Sequence, residues 1–337
     1  ALADEDDNVR ACAAEWLGET GGEKATNALR KCLGSDDVLL VLAALQSLNR
    51  IGAVIPWSEL KALAGEKLYG AELLLALGRS NAAEAAPVIA RDLGHDQAAA
   101  RAMTLLHDSS EETGAAVEAA VSDLDHATTE FLTKTIRDGE PAEQRSAAAC
   151  LLWSHQLSNM PFIVELAQNE SLYPLLLREL QKWGAPALEN LEQMMPTMNG
   201  KSLASVIGLL ARLLDQKTGQ AKSELFANYL AWEDMVVATA AASAVSRFGD
   251  ERVIPRLIEL LGSSRNRVRR VAGHALGEIG QRQPDLVQKA LADIEIDGEL
   301  GIQLCRIIKK VGKAEDVPRL SAALSSPISE LRAAVVG

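Results

Sequence analysis

The chain has 337 residues, 48% apolar and only 4% aromatic, and carries 46 acidic against 34 basic side chains for a net charge of −12. That balance argues against general nucleic-acid binding, because phosphate contacts need a positive field. Cys12, Cys32, Cys150 and Cys305 form no C-x-x-C pair, which predicts buried, reduced thiols and a cytoplasmic location; no secretory signal lies in this piece.

A thirteen-residue pattern runs from Val9 to Gly21 and returns at Leu40 to Gly52, Val237 to Gly249, Val268 to Gly280 and Leu300 to Gly312. Neighbouring copies lie 31 or 32 residues apart, the signature of a helical solenoid. Columns one, five, nine and twelve are apolar in nearly every copy, a spacing that makes one face of an α-helix. Column seven (Glu15, Gln46, Ser243, His274, Arg306) is polar and is expected to face solvent. The closing glycine is expected to take the left-handed conformation of a tight C-cap. A second helix then follows, as at 251–261, where Pro255 sits in the first turn and needs no N–H partner. The Pro-Arg-Leu run at 255–257 returns at 318–320, two repeats later.

Between Gly52 and Met235 the pattern blurs. Helices pair at 66–79 with 82–93, 95–107 with 111–124, 142–156 with 160–168, 169–183 with 186–195, and 199–215 with 218–231. Segment 126–140 reads as a lone or irregular helix, and the irregular middle around 108–140 is the expected place for a hinge or a change of pitch. No strand pattern occurs.

The wording Val-Arg-x-x-Ala-Ala-x-Ala-Leu-Gly-x-Ile-Gly is nearly spelled out at 268–280, and almost as closely at 9–21. In this the units resemble HEAT repeats of the phycobilisome-lyase-like type, strongly at both ends of the chain and weakly in the middle. The same wording is common in bacterial proteins of many functions. The resemblance implies an all-α fold: one right-handed α-solenoid domain over 1–337, with about ten to eleven helix pairs and second helices lining a concave face. Residues 329–337 match the opening of another repeat, and the chain begins without methionine almost inside one. The expectation is a piece of a longer protein.

Chemistry-bearing patterns are sparse. The five histidines, His95, His107, His126, His155 and His274, form no zinc-binding pair. The chain lacks the His-Glu dipeptides repeated in HEAT-like di-iron hydroxylases, as well as a phosphate loop and a nucleophile elbow. No enzymatic activity, metal or cofactor is expected. Trp16 and Trp153 lie within first helices and read as core. Trp57, Trp183 and Trp232 fall near helix ends, where an indole either closes the gap between repeats or anchors a partner peptide.

The leading functional reading is a protein–protein interaction scaffold or adaptor that holds a partner on polar ridges of its second helices. In the first repeat that ridge is Lys24, Asn27, Arg30 and Lys31, opposite Ala25, Ala28, Leu29 and Cys32; later repeats add Arg252, Arg256 and Arg319. Residues 247–282 hold eight arginines against four acids, with Arg265, Arg267, Arg269 and Arg270 close together. On an acidic body this island either invites a partner with an acidic segment or is a solvated turn paired with neighbouring acids. Two other readings are tetrapyrrole handling, as in the phycobiliprotein lyases that share this repeat type, and nucleic-acid binding through Arg265–Arg270. No aromatic residues interleave those arginines for base stacking. No membrane contact is expected from this piece.

Overall fold

The computed structural model describes residues 1–336, so Gly337, the last residue of the expected repeat opening at 329–337, lies outside it. Among the described residues there are twenty-three α-helices, joined by short turns, and no strand. The fold is an all-α solenoid. Its contacts divide it into two compact units, Ala1–Phe162 and Ile163–Gly337.

The first unit runs α1 (Asp7–Thr20), α2 (Glu23–Cys32), α3 (Val38–Ile51), α4 (Trp57–Leu60), α5 (Gly70–Gly78), α6 (Ala86–Ala90), α7 (Gln97–His107), α8 (Glu111–Val121), α9 (His126–Asp138) and α10 (Pro141–Trp153). First helices stack in the order α1, α3, α5, α7, α10, while second helices such as α2, α6 and α8 pack on their backs. Helix α9 is regular, begins at an Asp125 cap and packs on α10 outside the pairing. The blurred stretch 108–140 is therefore built of two ordinary helices, α8 and α9.

The division between units falls within α11 (Met160–Leu166). Beyond it the second unit holds α12 (Tyr173–Trp183), α13 (Ala185–Met194), α14 (Gly200–Leu213), α15 (Gln216–Ala221), α16 (Ser223–Ala227), α17 (Met235–Phe248), α18 (Ile254–Leu261), α19 (Asn266–Arg282), α20 (Pro284–Leu291), α21 (Gly298–Val311), α22 (Val317–Ala323) and α23 (Ser329–Val336). Here α14, α17, α19, α21 and α23 form the stack of first helices.

Helix starts follow from one further column. Three residues ahead of column one stand Asp6, Asp37, Asp234 and Asp297, each accepting backbone N–H groups at the start of α1, α3, α17 and α21. Such caps satisfy donors that a helix cannot satisfy itself and complement its dipole. Part of the acidic excess is thus structural.

The glycine column does something other than expected. Gly52 takes the left-handed C-cap (φ 75°, ψ 27°), its neighbour Ala53 donating to the Leu48 carbonyl at 2.9 Å, and Gly21 also ends its helix at positive φ (63°) though with an extended ψ. Gly249 and Gly312 leave their helices with negative φ, and Gly280 stays helical because α19 continues to Arg282. These three are glycines for lack of room. A Cβ on Gly249 would sit 2.5 Å from Ile279 Cδ1, and one on Gly280 would sit 2.6 Å from Val311 Cγ1.

Column eight explains how closely neighbouring first helices approach. Ser47, Ala244, Ala275 and Ile307 occupy it and are buried. Ser47 donates its hydroxyl to the Ala14 carbonyl on α1 at 3.0 Å, directly beside Gly18. Trp16 holds the same column in the first copy and is 68% exposed, not in the core as its helical position implied. Trp153 is core, 2% exposed and stacked on His107 with centroids 3.9 Å apart. All five column-seven residues face solvent.

Two glycines separate helix propensity from packing. A Cβ at Gly78 would meet the Ala102 carbonyl oxygen at 2.5 Å, whereas Gly208 has nothing within 4 Å. Alanine gains about 1 kcal/mol over glycine inside a helix, but overpacking costs about 1–3 kcal/mol. Gly208→Ala should raise the thermal midpoint and Gly78→Ala should lower it, as read by circular dichroism; a rise in both would contradict the seam described above.

Candidate partner-binding surface

On α2 the ridge is laid out as its spacing dictates. Lys24, Asn27 and Lys31 are exposed while Ala25, Leu29 and Cys32 are buried on the opposite face. The three polar side chains border an open groove of about 560 Å³ that reaches Ser35 and Leu40. Arg30 has turned away from it. Its Nε donates to Glu59 Oε2 at 2.9 Å, which ties the second helix of one repeat to that of the next and holds the Glu59 carboxyl below its usual range.

Several of the other arginines are occupied in the same way. Arg252 donates to Asp250 at 2.6 Å and to the Gln220 carbonyl at 2.7 Å. Arg319 reaches Asp316 at 3.2 Å and the Leu291 and Ile294 carbonyls at 2.9 and 2.6 Å. Arg256 pairs with Glu259 one turn along α18 at 2.5 Å. Arg282 donates to the Ser246 carbonyl, and its burial pulls its pKa down.

Arg269 belongs to a recurring device that the sequence reading did not separate from the island. It stands in column two, with Arg10 and, in the last helix, Arg332. Each guanidinium turns back onto carbonyls of the preceding turn: Arg10 onto Asp4 and Glu5 at 2.6 and 3.1 Å, Arg269 onto Ser263 and Ser264 at 2.8 and 3.1 Å, and Arg332 onto Ser326 at 2.7 Å. Two of them also reach forward to the next first helix, Arg10 to Asp37 at 2.7 Å and Arg269 to Glu299 at 3.0 Å. The signal was available as an arginine recurring beside column one. Arg269 is 8% exposed, so the turn and the next repeat take most of its reach.

Three arginines remain. Arg265, Arg267 and Arg270 make no side-chain hydrogen bond or ion pair among the described residues, and all three stand at the start of α19. Arg265 occupies the column that is aspartate in the other copies, and α19 accordingly lacks a side-chain cap. Arg270 borders an open groove of about 670 Å³ between α17 and α19, shared with Thr239, Ser243 and His274. The island of the linear sequence is therefore not one patch. Helix α19 spans about 25 Å at 1.5 Å per residue, and Arg252 and Arg282 sit toward the end of its hairpin with α18 that is remote from Arg265.

Other chemistry is limited. Burial pushes the Cys32 and Cys305 thiols up, and that of Cys150 up to about 12. Cys12 departs from the expectation, being exposed. Trp183 is buried, and Trp57 is half-buried. Trp232 is 41% exposed and leans on Tyr229 with centroids 5.3 Å apart. Among the described residues no His, Cys, Asp and Glu side chains are grouped to hold a metal, and no helix is long and apolar enough to cross a membrane.

The helix pairs agree with what comparison finds. A family model for HEAT repeats matches residues 1–68 and 223–295. The match thus covers the start of the chain and a stretch of the second unit, less than half of the chain. No curated protein matches the sequence. Among solved structures the chain is similar to the karyopherin Kap121p bound to Pho4p, at 12% identity and a TM-score of 0.50, over 99% of this chain and 40% of that one. Kap121p bound to the SUMO protease Ulp1p is similar at 12% identity and a TM-score of 0.49, over 99% and 39%. An engineered protein is similar at 19% identity and a TM-score of 0.37, over 99% and 95%. The chain thus spans about 40% of the length of the karyopherin, and the likeness is one of HEAT-repeat fold.

The Arg10–Asp37 contact has a pH signature. Hydrogen bonds from Arg10, then from the Leu40 and Leu39 amides, hold the Asp37 carboxyl below its ordinary value of 3.8 against the opposing effect of burial. A depressed folded-state pKa contributes stability that is present above the unfolded value and lost as pH falls through the folded one. The thermal midpoint of Asp37→Asn should therefore fall less than that of the parent between pH 5 and the acid limit of folding. Parallel slopes would remove this contact from the acid response.

Proposed function

We propose that the protein is a non-enzymatic interaction scaffold that binds an acidic segment of a protein partner at the start of α19. One observation carries this reading: a helix N-terminus whose capping aspartate is replaced by Arg265 and which gathers three guanidinia with no internal partner. Both features are unfavourable for the isolated fold. A missing cap costs about 0.5–2 kcal/mol, and a cation near a helix N-terminus opposes the dipole by about 0.3–1 kcal/mol. Local rules broken without an internal gain mark functional positions. Carboxylates brought by a partner would supply both the cap and the counter-charge.

The ridge of Lys24, Asn27 and Lys31 is a further contact surface of the same charge on the first repeat. Arg30, Arg252, Arg269 and Arg319 act in this reading as braces between repeats. The solved Kap121p structure that the chain is similar to holds Pho4p, which supports a protein as the occupant. Three buried thiols favour a reducing compartment such as the cytoplasm. Membership of the phycobilisome-lyase-like repeat type rests on the wording at 268–280 and is part of the proposal.

Replacing Arg265 by aspartate tests both halves together. Arg265→Asp should stabilise the protein by about 0.5–2 kcal/mol and weaken binding of a glutamate-rich peptide at least tenfold, as should Arg267→Glu with Arg270→Glu. Binding of the parent should fall steeply with salt. Peptide affinity unchanged in both variants would remove this site, and a loss of stability in Arg265→Asp would show that the arginine is structural.

A further inference from the structure

Three arginines from three successive first helices meet inside the first unit. The end of α3 supplies Gln46, Asn49 and Arg50, α5 supplies Glu72 and, as its C-cap, Arg79, and α7 supplies Arg101. Together they line an open pocket of about 440 Å³. Helix α3 packs on α5 and α5 on α7, while α1 and α10 close the stack beyond them, so the pocket lies within the stack and not at an end of it.

The wiring of the pocket leaves its positive charge uncompensated. Asn49 Nδ2 donates to the Glu72 carbonyl at 2.8 Å and to the Glu72 carboxylate at 2.7 Å, and Asn49 Oδ1 accepts from Arg79 Nη1 at 3.0 Å. The one acid in the lining is thus engaged by an amide, and Arg79 is held by a neutral acceptor. Arg50 and Arg101 are exposed and make no hydrogen bond or ion pair among the described residues. In a chain with 46 acidic side chains, three guanidinia lining one pocket without a carboxylate pairing any of them repel one another. A local conflict with no internal gain marks a functional position.

The lining also selects among anions. Guanidinia match phosphate oxygens with paired N–H donors. A phosphomonoester offers three terminal oxygens and nearly two charges at neutral pH, enough to engage three arginines, whereas a carboxylate offers two oxygens and one charge. Leu75 is the only apolar side chain in the lining, and no aromatic stands there to stack a nucleobase. The site therefore grips a compact charged group and little of what carries it.

We infer that this pocket binds a phosphorylated serine or threonine of a protein partner, with Arg50, Arg79 and Arg101 on the phosphate and Asn49 positioning Arg79. The site uses none of the α19 arginines. It goes beyond the acidic-segment reading and does not depend on it.

The probes are three labelled glycine-rich peptides that differ at one central residue, phosphoserine, serine or glutamate, titrated by fluorescence anisotropy against the full chain. The phosphoserine peptide should bind roughly tenfold more tightly than either of the others. Arg50→Gln with Arg101→Gln should weaken it by a similar factor. Arg50→Lys with Arg101→Lys, which keeps the charge and loses the planar fork, should also weaken it, while Arg267→Glu with Arg270→Glu leaves it unchanged. Neither pair of substitutions at Arg50 and Arg101 should lower the thermal midpoint, since these side chains have no internal partner to lose. Equal binding of the phosphoserine and glutamate peptides, an affinity indifferent to Arg50 and Arg101, inorganic phosphate binding as tightly as the peptide, or tighter binding of a DNA duplex through the same arginines would each overturn the inference. The acidic-segment reading fails separately, through the α19 variants alone.

Discussion

Neighbouring first helices lie so close that the Ser47 hydroxyl bonds to the backbone of α1 and Gly18 leaves no space for a side chain. The same closeness returns at Gly78 against Ala102 and at Gly280 against Val311. A core built of alanine, leucine and glycine gains its stability from many short-range contacts between adjacent layers. Each layer then needs only its two neighbours, and side chains that are not used at a seam are free for another purpose. Which residues are seam and which are surface is decided by this spacing.

Charge is distributed by the same logic. Aspartates cap α1, α3, α17 and α21, column-two arginines hold the preceding turn, and Arg10 and Arg269 reach forward to Asp37 and Glu299 of the next layer. Most of the conspicuous basic residues are consumed in this frame. Of the ridge and island residues, what is left over is three guanidinia at an uncapped helix start and a lysine ridge on α2. An overall charge of −12 says little about a molecule whose free charges are sorted in this way.

The repeat, its helix pairs and the outward direction of column seven were all legible in the sequence, because helical periodicity is set by the chain itself. The conformations of Gly249 and Gly312 were not, since a helix-ending glycine looks the same whether it is needed for a left-handed turn or for lack of room. Trp16 fell in the same class: its place in the helix is readable, but its exposure is not. The arginine island looked like one patch because eight residues cluster in sequence, yet an antiparallel helix pair carries them to opposite ends. Arg265, Arg267 and Arg270 share the helix start with Arg269, and only the positions of backbone carbonyls and Glu299 distinguish the brace from the free groups.

The most direct measurement is amide hydrogen exchange of the full chain with and without a glutamate-rich peptide, resolved along α19. An uncapped start should exchange quickly in the free protein, faster than the aspartate-capped starts of α17 and α21. Binding should slow exchange over residues 266–270 while leaving those two helices unchanged. Protection that is already high in the free chain, or that rises elsewhere and not at the start of α19, would contradict the account.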